Sequence, residues 1–316
     1  MVGGNKNMSK ENTAVTKKKI KRCKEDVVFD AACFIILTLV LFVVAYPLYW
    51  VIISSISAPS AVSSGKVLLH PIGFTLKGYA EVFKNDQVMR VFLNSLIITF
   101  CGVMVNLIVT LPTSYALSRS NFSGKKPITI FYLITMFFGG GLIPTYLVIQ
   151  RLQMLNTIWA LILPGCLSVY NMIVARTFFK SNISEELYEA AEIDGCTQAR
   201  FFFQIALPLS KAIIAILVLY YGVGHWNSYF SALVYISDKA KYPLQLVLRN
   251  ILITNQTALS QTATTAAARA ALQEKQQLID VMKYSLIIIS SIPVLVMYPL
   301  VQKHFVKGVM IGSMKG

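Results

Sequence analysis

The stretch AACFIILTLVLFVVAYPLYWVII, residues 31–53, carries no charged side chain from end to end. At a rise of about 1.5 Å per residue, a helix of that length crosses a hydrocarbon core about 30 Å thick. The run is too long, and the charged stretch before it too extended, for a cleaved signal peptide, so it reads as a retained first helix. Five further long apolar runs follow, at residues 91–117, 128–150, 156–179, 212–235 and 284–305. The composition agrees with that reading. The 316 residues are 55% hydrophobic and 14% charged, where a soluble domain carries about 25% charged residues. This overrides the two soluble domains that length alone would imply. The predicted fold class is all-α, a polytopic membrane protein with six transmembrane helices.

The charge balance, 29 Lys and Arg against 14 Asp and Glu, gives orientation. Lys6, Lys10, Lys17, Lys18, Lys19, Lys21, Arg22 and Lys24 load the N-terminal tail. Arg119, Lys125 and Lys126 mark the loop at 118–127, and Lys303, Lys307 and Lys315 mark the C-terminal end. Basic residues gather on the cytoplasmic side, which places both termini and the 181–211 loop there and the loops at 54–90, 151–155 and 236–283 outside. The expected organisation is a basic tail, 1–27, and a permease domain, 28–316. No basic stretch is interleaved with aromatic residues as nucleic-acid binding would require. Cys23, Cys33, Cys101, Cys166 and Cys196 form no CxxC pair and have no neighbouring His, so neither a disulfide nor a metal site is expected. Residues 254–277, rich in Thr, Gln and Ala, are expected to form a helix on the outer side. No internal repeat is visible, whereas alternating access usually needs two pseudo-symmetric halves. Six helices therefore supply half of a pathway, and a second membrane subunit is implied.

The spans hold no carboxylate near a bilayer midplane and no buried Arg or Lys is expected in them, which argues against a proton relay. His225 lies within the fifth span among Gly222, Gly224, Trp226, Asn227, Ser228 and Tyr229. Two readings stay open for it, an interhelical hydrogen bond and a pore-lining group. Aromatic faces with amide and hydroxyl groups suit sugar rings, and the candidate pathway residues are Tyr146, Asn171, Tyr221, His225, Trp226, Asn227 and Tyr229. The run Gly139-Gly140-Gly141 ahead of Pro144 predicts a break in the third span.

The most informative segment is the 181–211 loop. Glu185, Glu186, Glu189, Glu192 and Asp194 fall within ten residues on the side that should be basic. Ser184 is a helix N-cap with acids set against the dipole. Leu187, Ala190, Ala191 and Asp194 share one narrow face, and Gly195 closes the helix as a C-cap glycine. Thr197 caps a second short helix bearing Phe201, Phe202, Phe203 and Ile205, which Leu207-Pro208 is expected to stop. Two short helices projecting from the membrane suit insertion into a groove on a cytoplasmic partner.

Glu189-Ala190-Ala191, Gly195, Ile205 and Leu207-Pro208 fit the pattern EAA-x3-G-x9-I-x-L-P. This resembles the EAA loop of membrane subunits of bacterial ABC importers, with Asp194 before the glycine as in the sugar-importer branch and Cys196 where an alanine is frequent. The stretch 139–144, Asn156-Thr157-Ile158-Trp159, Trp226-Asn227 and the ending 308–316 are similar to carbohydrate permeases of the MalG-like group, and within it to LplC-type subunits of complex-oligosaccharide importers. The likeness runs over most of 30–316 and leaves the basic tail uncovered.

The resemblance implies the type I importer transmembrane domain and an oligosaccharide as solute. It implies that Glu189, Ala190, Ala191, Asp194, Gly195, Phe201, Phe202, Ile205, Leu207 and Pro208 couple the chain to a cytoplasmic ABC ATPase dimer. It further implies a second, MalF-like permease subunit and an extracellular or periplasmic sugar-binding protein that contacts the 236–283 loop. The chain has no G-x-x-x-x-G-K-[ST] phosphate loop; Ser123-Gly124-Lys125 lacks the upstream glycine. No cofactor is expected in this chain, with ATP and Mg on the partner ATPase. The expected location is the cell membrane. Either Gly195→Asp or Glu189→Lys is expected to abolish uptake while the protein still inserts. The alternatives are an ABC importer for a non-sugar solute and a homodimeric channel or carrier. A membrane enzyme is disfavoured, since no HExxH or clustered Ser, His and Asp is present.

Overall fold

A computed structural model describes residues 24–257, 277, 279–280, 282–299 and 301–302, and the described residues include helices but no strand. The chain divides into two compact units, residues 1–49 and 50–316. The first is the greater part of α1 (Lys24–Ser55). Glu25 and Asp26 occupy its first turn, where acidic groups oppose the positive end of the helix dipole. Its apolar side chains are exposed, Phe34 and Phe42 by 72% and 69%, as hydrocarbon rather than water would favour. Residues 24–27, placed with the tail by sequence, belong to this helix; residues 1–23 lie outside the described set.

The second unit is built around α4 (Asp86–Ser118). Ahead of it come two short helices, α2 (Pro59–Ser63) and α3 (Lys77–Lys84). Asn85 caps α4, its Oδ1 accepting the Gln87 and Val88 N–H groups. The expected third span is two helices, α5 (Lys125–Phe137) and α6 (Leu142–Arg151), bent by 113° at the glycine run. The fourth is likewise divided: α7 (Trp159–Ile162) and a 3-10 turn (Leu163–Gly165) meet α8 (Val169–Asn182) at 52°. The loop helices α9 (Glu185–Ile193), α10 (Gln198–Phe201) and α11 (Leu207–Leu209) follow. Then come α12 (Lys211–Trp226), α13 (Phe230–Tyr235), α14 (Leu244–Thr257) and α15 (Met282–Pro299).

Among the described residues α1, α4 and α15 are long and apolar enough to cross a membrane, and bent pairs raise the number of candidate spans there to as many as six. Three expectations need correction. The fifth span, expected as one helix over 212–235, stops at Trp226 and resumes at Phe230. Leu207-Pro208 does not stop the second loop helix: a π turn, Phe202–Ala206, carries it into α11. Such a turn already shifts the i−4 hydrogen bonds that a proline would break. A basic residue is also half-buried inside a span. Arg176 of α8 donates from Nε to the Leu117 carbonyl (3.0 Å) and from Nη1 to Thr129 Oγ1 (3.4 Å), which satisfies its cation next to the end of α4. Residues 258–276 and 308–316 lie outside the described set, so the expected outer helix is seen only as far as Thr257.

Candidate functional site

The loop 181–211 folds as its caps dictate. Ser184 Oγ accepts the Leu187 N–H (3.3 Å) and Thr197 Oγ1 the Arg200 N–H (3.4 Å). At the far end of α9, Gly195 has φ +73°. Its N–H donates to Glu192 O (3.0 Å), and the Cys196 N–H donates to Ala191 O (2.9 Å). These paired bonds are a Schellman closure, which satisfies carbonyls that the helix end would otherwise orphan.

The four residues of the narrow face, Leu187, Ala190, Ala191 and Asp194, do not share one environment. Ala191 is buried, and with it Tyr188, whereas Leu187 and Ile193 are exposed, Ile193 by 87%. Glu186, Glu189, Ala190 and Asp194 are exposed as well. The helix thus buries a Tyr188–Ala191 edge in the protein and presents an acidic ridge with one bare isoleucine. On the second loop helix Phe201 and Phe202 are buried, while Phe203 is 65% exposed. Ile205 and Leu207 pack at the edge of the same core, and Pro208 is exposed.

That core runs from the loop into the membrane helices. Tyr188, Ala191, Phe201 and Phe202 share one cluster with Tyr115 of α4, Phe179 of α8 and Ile213 and Leu217 of α12. Tyr115 is the hub: its ring lies 5.6 Å from Phe179, 6.4 Å from Phe201 and 5.0 Å from Phe202. Arg119, one turn on, ties the loop to α4 by charge. Its Nη2 donates to Ile183 O (3.1 Å), its Nη1 lies 3.6 Å from Glu185 Oε2, and its guanidinium carbon sits 5.2 Å and 5.8 Å from the Tyr115 and Tyr188 ring centres. Glu185 Oε1 also accepts the Ser120 N–H (3.2 Å). Beside these contacts lies an open cavity of about 280 Å³, lined by Tyr115, Arg119, Glu185, Tyr188, Gln198 and Phe202 among others. By sequence Arg119 indicated orientation alone. Its YALSR context at the last turn of an apolar run is the signal that it closes a helix against something.

The pathway candidates separate into two groups. Tyr221, Trp226 and Asn171 are buried within the chain. Trp226 packs edge-on to Phe92 and its indole N–H donates to Ser290 O (2.9 Å). Tyr221 Oη bonds Thr110 Oγ1 (2.7 Å) and accepts the Ser168 N–H (3.2 Å). His225 makes the interhelical contact. Asn106, fully buried on α4, donates both amide hydrogens to the Gly165 and Cys166 carbonyls, each at 2.8 Å. Its Oδ1 can therefore only accept, so the imidazole places a proton on Nε2 and donates across 2.7 Å. These bonds serve carbonyls at the α7–α8 break, which a bilayer would leave unmet. By contrast, Asn227 and Tyr229 are exposed and Tyr146 is half-buried, the last stacked with Tyr235 at 6.3 Å. Among the described residues no cluster of His, Cys, Asp and Glu could hold a metal.

No protein-family model matches the chain. It is 36% identical to the polygalacturonan/rhamnogalacturonan transport system permease protein YtcP of Bacillus subtilis (strain 168), over 91% of this chain and 98% of that one. It is 38% identical to protein LplC of the same organism, over 92% and 95%, and 29% identical to its galactooligosaccharides transport system permease protein GanQ, over 90% and 94%. The fold is similar, with TM-score 0.80 and 27% identity over 90% of this chain and 99% of that one, to a chain in the crystal structure of a bacterial ABC transporter involved in the import of the acidic polysaccharide alginate.

Proposed function

Because the chain belongs to the permease subunits of carbohydrate ABC importers, we propose that it forms half of an oligosaccharide pathway, completed by a second, MalF-like permease. A cytoplasmic ABC ATPase dimer binds ATP and Mg, and an extracellular or periplasmic sugar-binding protein delivers the solute to the 236–283 loop. The observation that carries this reading is the aromatic core running from the 181–211 loop through Tyr115 into α4, α8 and α12. Both termini and this loop face the cytoplasm, in keeping with the Lys and Arg distribution.

The two sides of the loop divide the work. The exposed ridge of Glu186, Glu189, Ala190, Ile193 and Asp194 meets the ATPase, and the buried edge of Tyr188, Ala191, Phe201 and Phe202 grips α4. When ATP closes the ATPase dimer, displacement of α9 reaches Tyr115 through close-packed rings, and Arg119 keeps the first turn of α9 attached. Tyr146, Asn227 and Tyr229 are the pathway-facing residues of this chain. The test is affinity capture of the tagged chain from its own membranes, followed by ATP-dependent uptake in vesicles. A second permease and an ATPase should copurify; a chain that comes out alone, or as a homodimer that moves solute without ATP, would overturn the assignment.

Arg119→Gln should separate coupling from assembly. Losing a charge-assisted hydrogen bond and two cation–π contacts should lower uptake per ATP hydrolysed by about tenfold or more, with the complex still captured whole. An unchanged ratio of uptake to hydrolysis would remove Arg119 from the coupling route.

A further inference from the structure

The fold brings a cation from outside the expected spans to Tyr229, one of the exposed pathway candidates. α14 packs Leu244 and Leu248 into one core cluster with Val88 and Val91 of α4, with Trp226 and with Leu286. Its Leu244 N–H donates to Ser95 Oγ (2.7 Å), and Asn94 of α4 donates to the Ala240 and Tyr242 carbonyls. The helix is therefore fixed against the early part of α4, at the opposite end from Ser118 and the 181–211 loop. Arg249, next after Leu248, is half-buried, and its guanidinium carbon lies 5.8 Å from the centre of the Tyr229 ring. Among the described residues its one other polar contact is a 3.5 Å hydrogen bond from Nη1 to Oδ1 of the adjacent Asn250. Among the described residues no carboxylate pairs with it. Tyr229 is 42% exposed, and Asn227 beside it at the α12–α13 break is exposed as well.

A half-buried guanidinium that rests on an aromatic ring and spends one weak hydrogen bond on a neighbour retains most of its donor fork. That planar fork matches a carboxylate in two parallel bonds. The exposed Tyr229 ring offers an apolar face to the C–H surface of a sugar, and Asn227 an amide to its hydroxyls. Resting on the importer reading above, we propose that Arg249, with Tyr229 and Asn227, forms a subsite for the carboxylate of an acidic sugar, so that the solute is an oligosaccharide containing uronate units. A neutral sugar leaves the half-buried cation without a counter-charge, and selectivity follows from that deficit.

The test uses the whole importer in proteoliposomes, with a panel of short uronate oligosaccharides and their carboxyl-reduced counterparts as probes. Wild-type chain, Arg249→Gln and Arg249→Lys are compared, and subunit copurification is measured for each. Arg249→Gln should lower uptake of the acidic sugars by about tenfold or more while changing that of the neutral ones by less than about twofold, and Arg249→Lys should fall between. Equal losses for both sugars in an assembled complex would overturn the subsite and point to a structural role or a lipid phosphate as partner of Arg249. Unchanged acidic uptake in Arg249→Gln, or a wild type that carries only the neutral sugars, would overturn it too. A wild-type complex that moves no sugar with ATP would instead sink the importer reading, and the subsite with it.

Discussion

Replacing Gly195 by valine should abolish uptake while the chain still inserts into the membrane. The reason is local. Gly195 holds φ at +73°, a region that costs a β-branched residue about 1–3 kcal/mol. A Cβ there would meet nothing within 4 Å, so the penalty is in the backbone alone and nothing in the membrane core is disturbed. The strain is relieved by opening the Schellman closure, which frees the carbonyls of Ala191 and Glu192 and unwinds the last turn of α9. That turn carries Ile193 and Asp194, the end of the ridge proposed to meet the ATPase. The structure also ranks the substitutions. Asn and Asp tolerate the left-handed region better than other non-glycine residues, so Gly195→Asn should keep a large part of the uptake, and the complete loss expected from sequence for Gly195→Asp is revised to a loss between those of Asn and Val. Glu189→Lys acts differently, reversing a charge on the exposed ridge without touching the fold. Uptake and membrane insertion measured side by side check the series; a valine variant with normal uptake would show that the closed end of α9 is not needed for coupling.

The loop was legible because its information is local. Ser184, Thr197 and Gly195 each specify a cap through bonds to residues within a few positions, and the acidic run stands out against a basic surface. The spans were legible for a similar reason, since apolar runs of the necessary length have few other uses. What could not be read is what depends on pairing across the fold. Phe201, Phe202 and Phe203 are identical in sequence terms, yet two are buried against Tyr115 and one is exposed, a choice made by the π turn at Phe202–Ala206. Trp226 and Tyr229 both looked sugar-facing. Trp226 has its indole N–H met by Ser290 O on α15, far away in the chain, and Tyr229 falls past the helix end and stays open. Arg249 was invisible for the converse reason, because its segment looked like outer loop until α14 docked on α4. Hydrophobic runs also concealed their breaks. The glycines at 139–141 betrayed one, but the α7–α8 bend is stabilised by Asn106, about sixty positions earlier, and no local signal connects them.

The second large effect is expected at that bend, from Gly102→Ala. A Cβ on Gly102 would lie 2.5–2.7 Å from the His225 imidazole, closer than any real contact, so the ring must move. It is not free to do so cheaply, because its Nε2 proton is held by Asn106 Oδ1 at 2.7 Å. Displacing it leaves Asn106 with an unmet oxygen in a fully buried position, at a cost of about 1–3 kcal/mol, with overpacking adding a similar amount. Asn106 in turn holds the carbonyls of Gly165 and Cys166, so one methyl group at α4 should loosen the α7–α8 junction. The expected result is a lower melting temperature for the purified complex and reduced uptake. His225→Ala provides the discriminating background, since it removes the ring that the methyl would strike. There, Gly102→Ala should cost little, and the double mutant should be more stable than the sum of the two single effects predicts. Strictly additive losses would mean that Gly102 matters for a contact other than His225, and that the polar chain from α12 through Asn106 to the break is not the element that holds the bend.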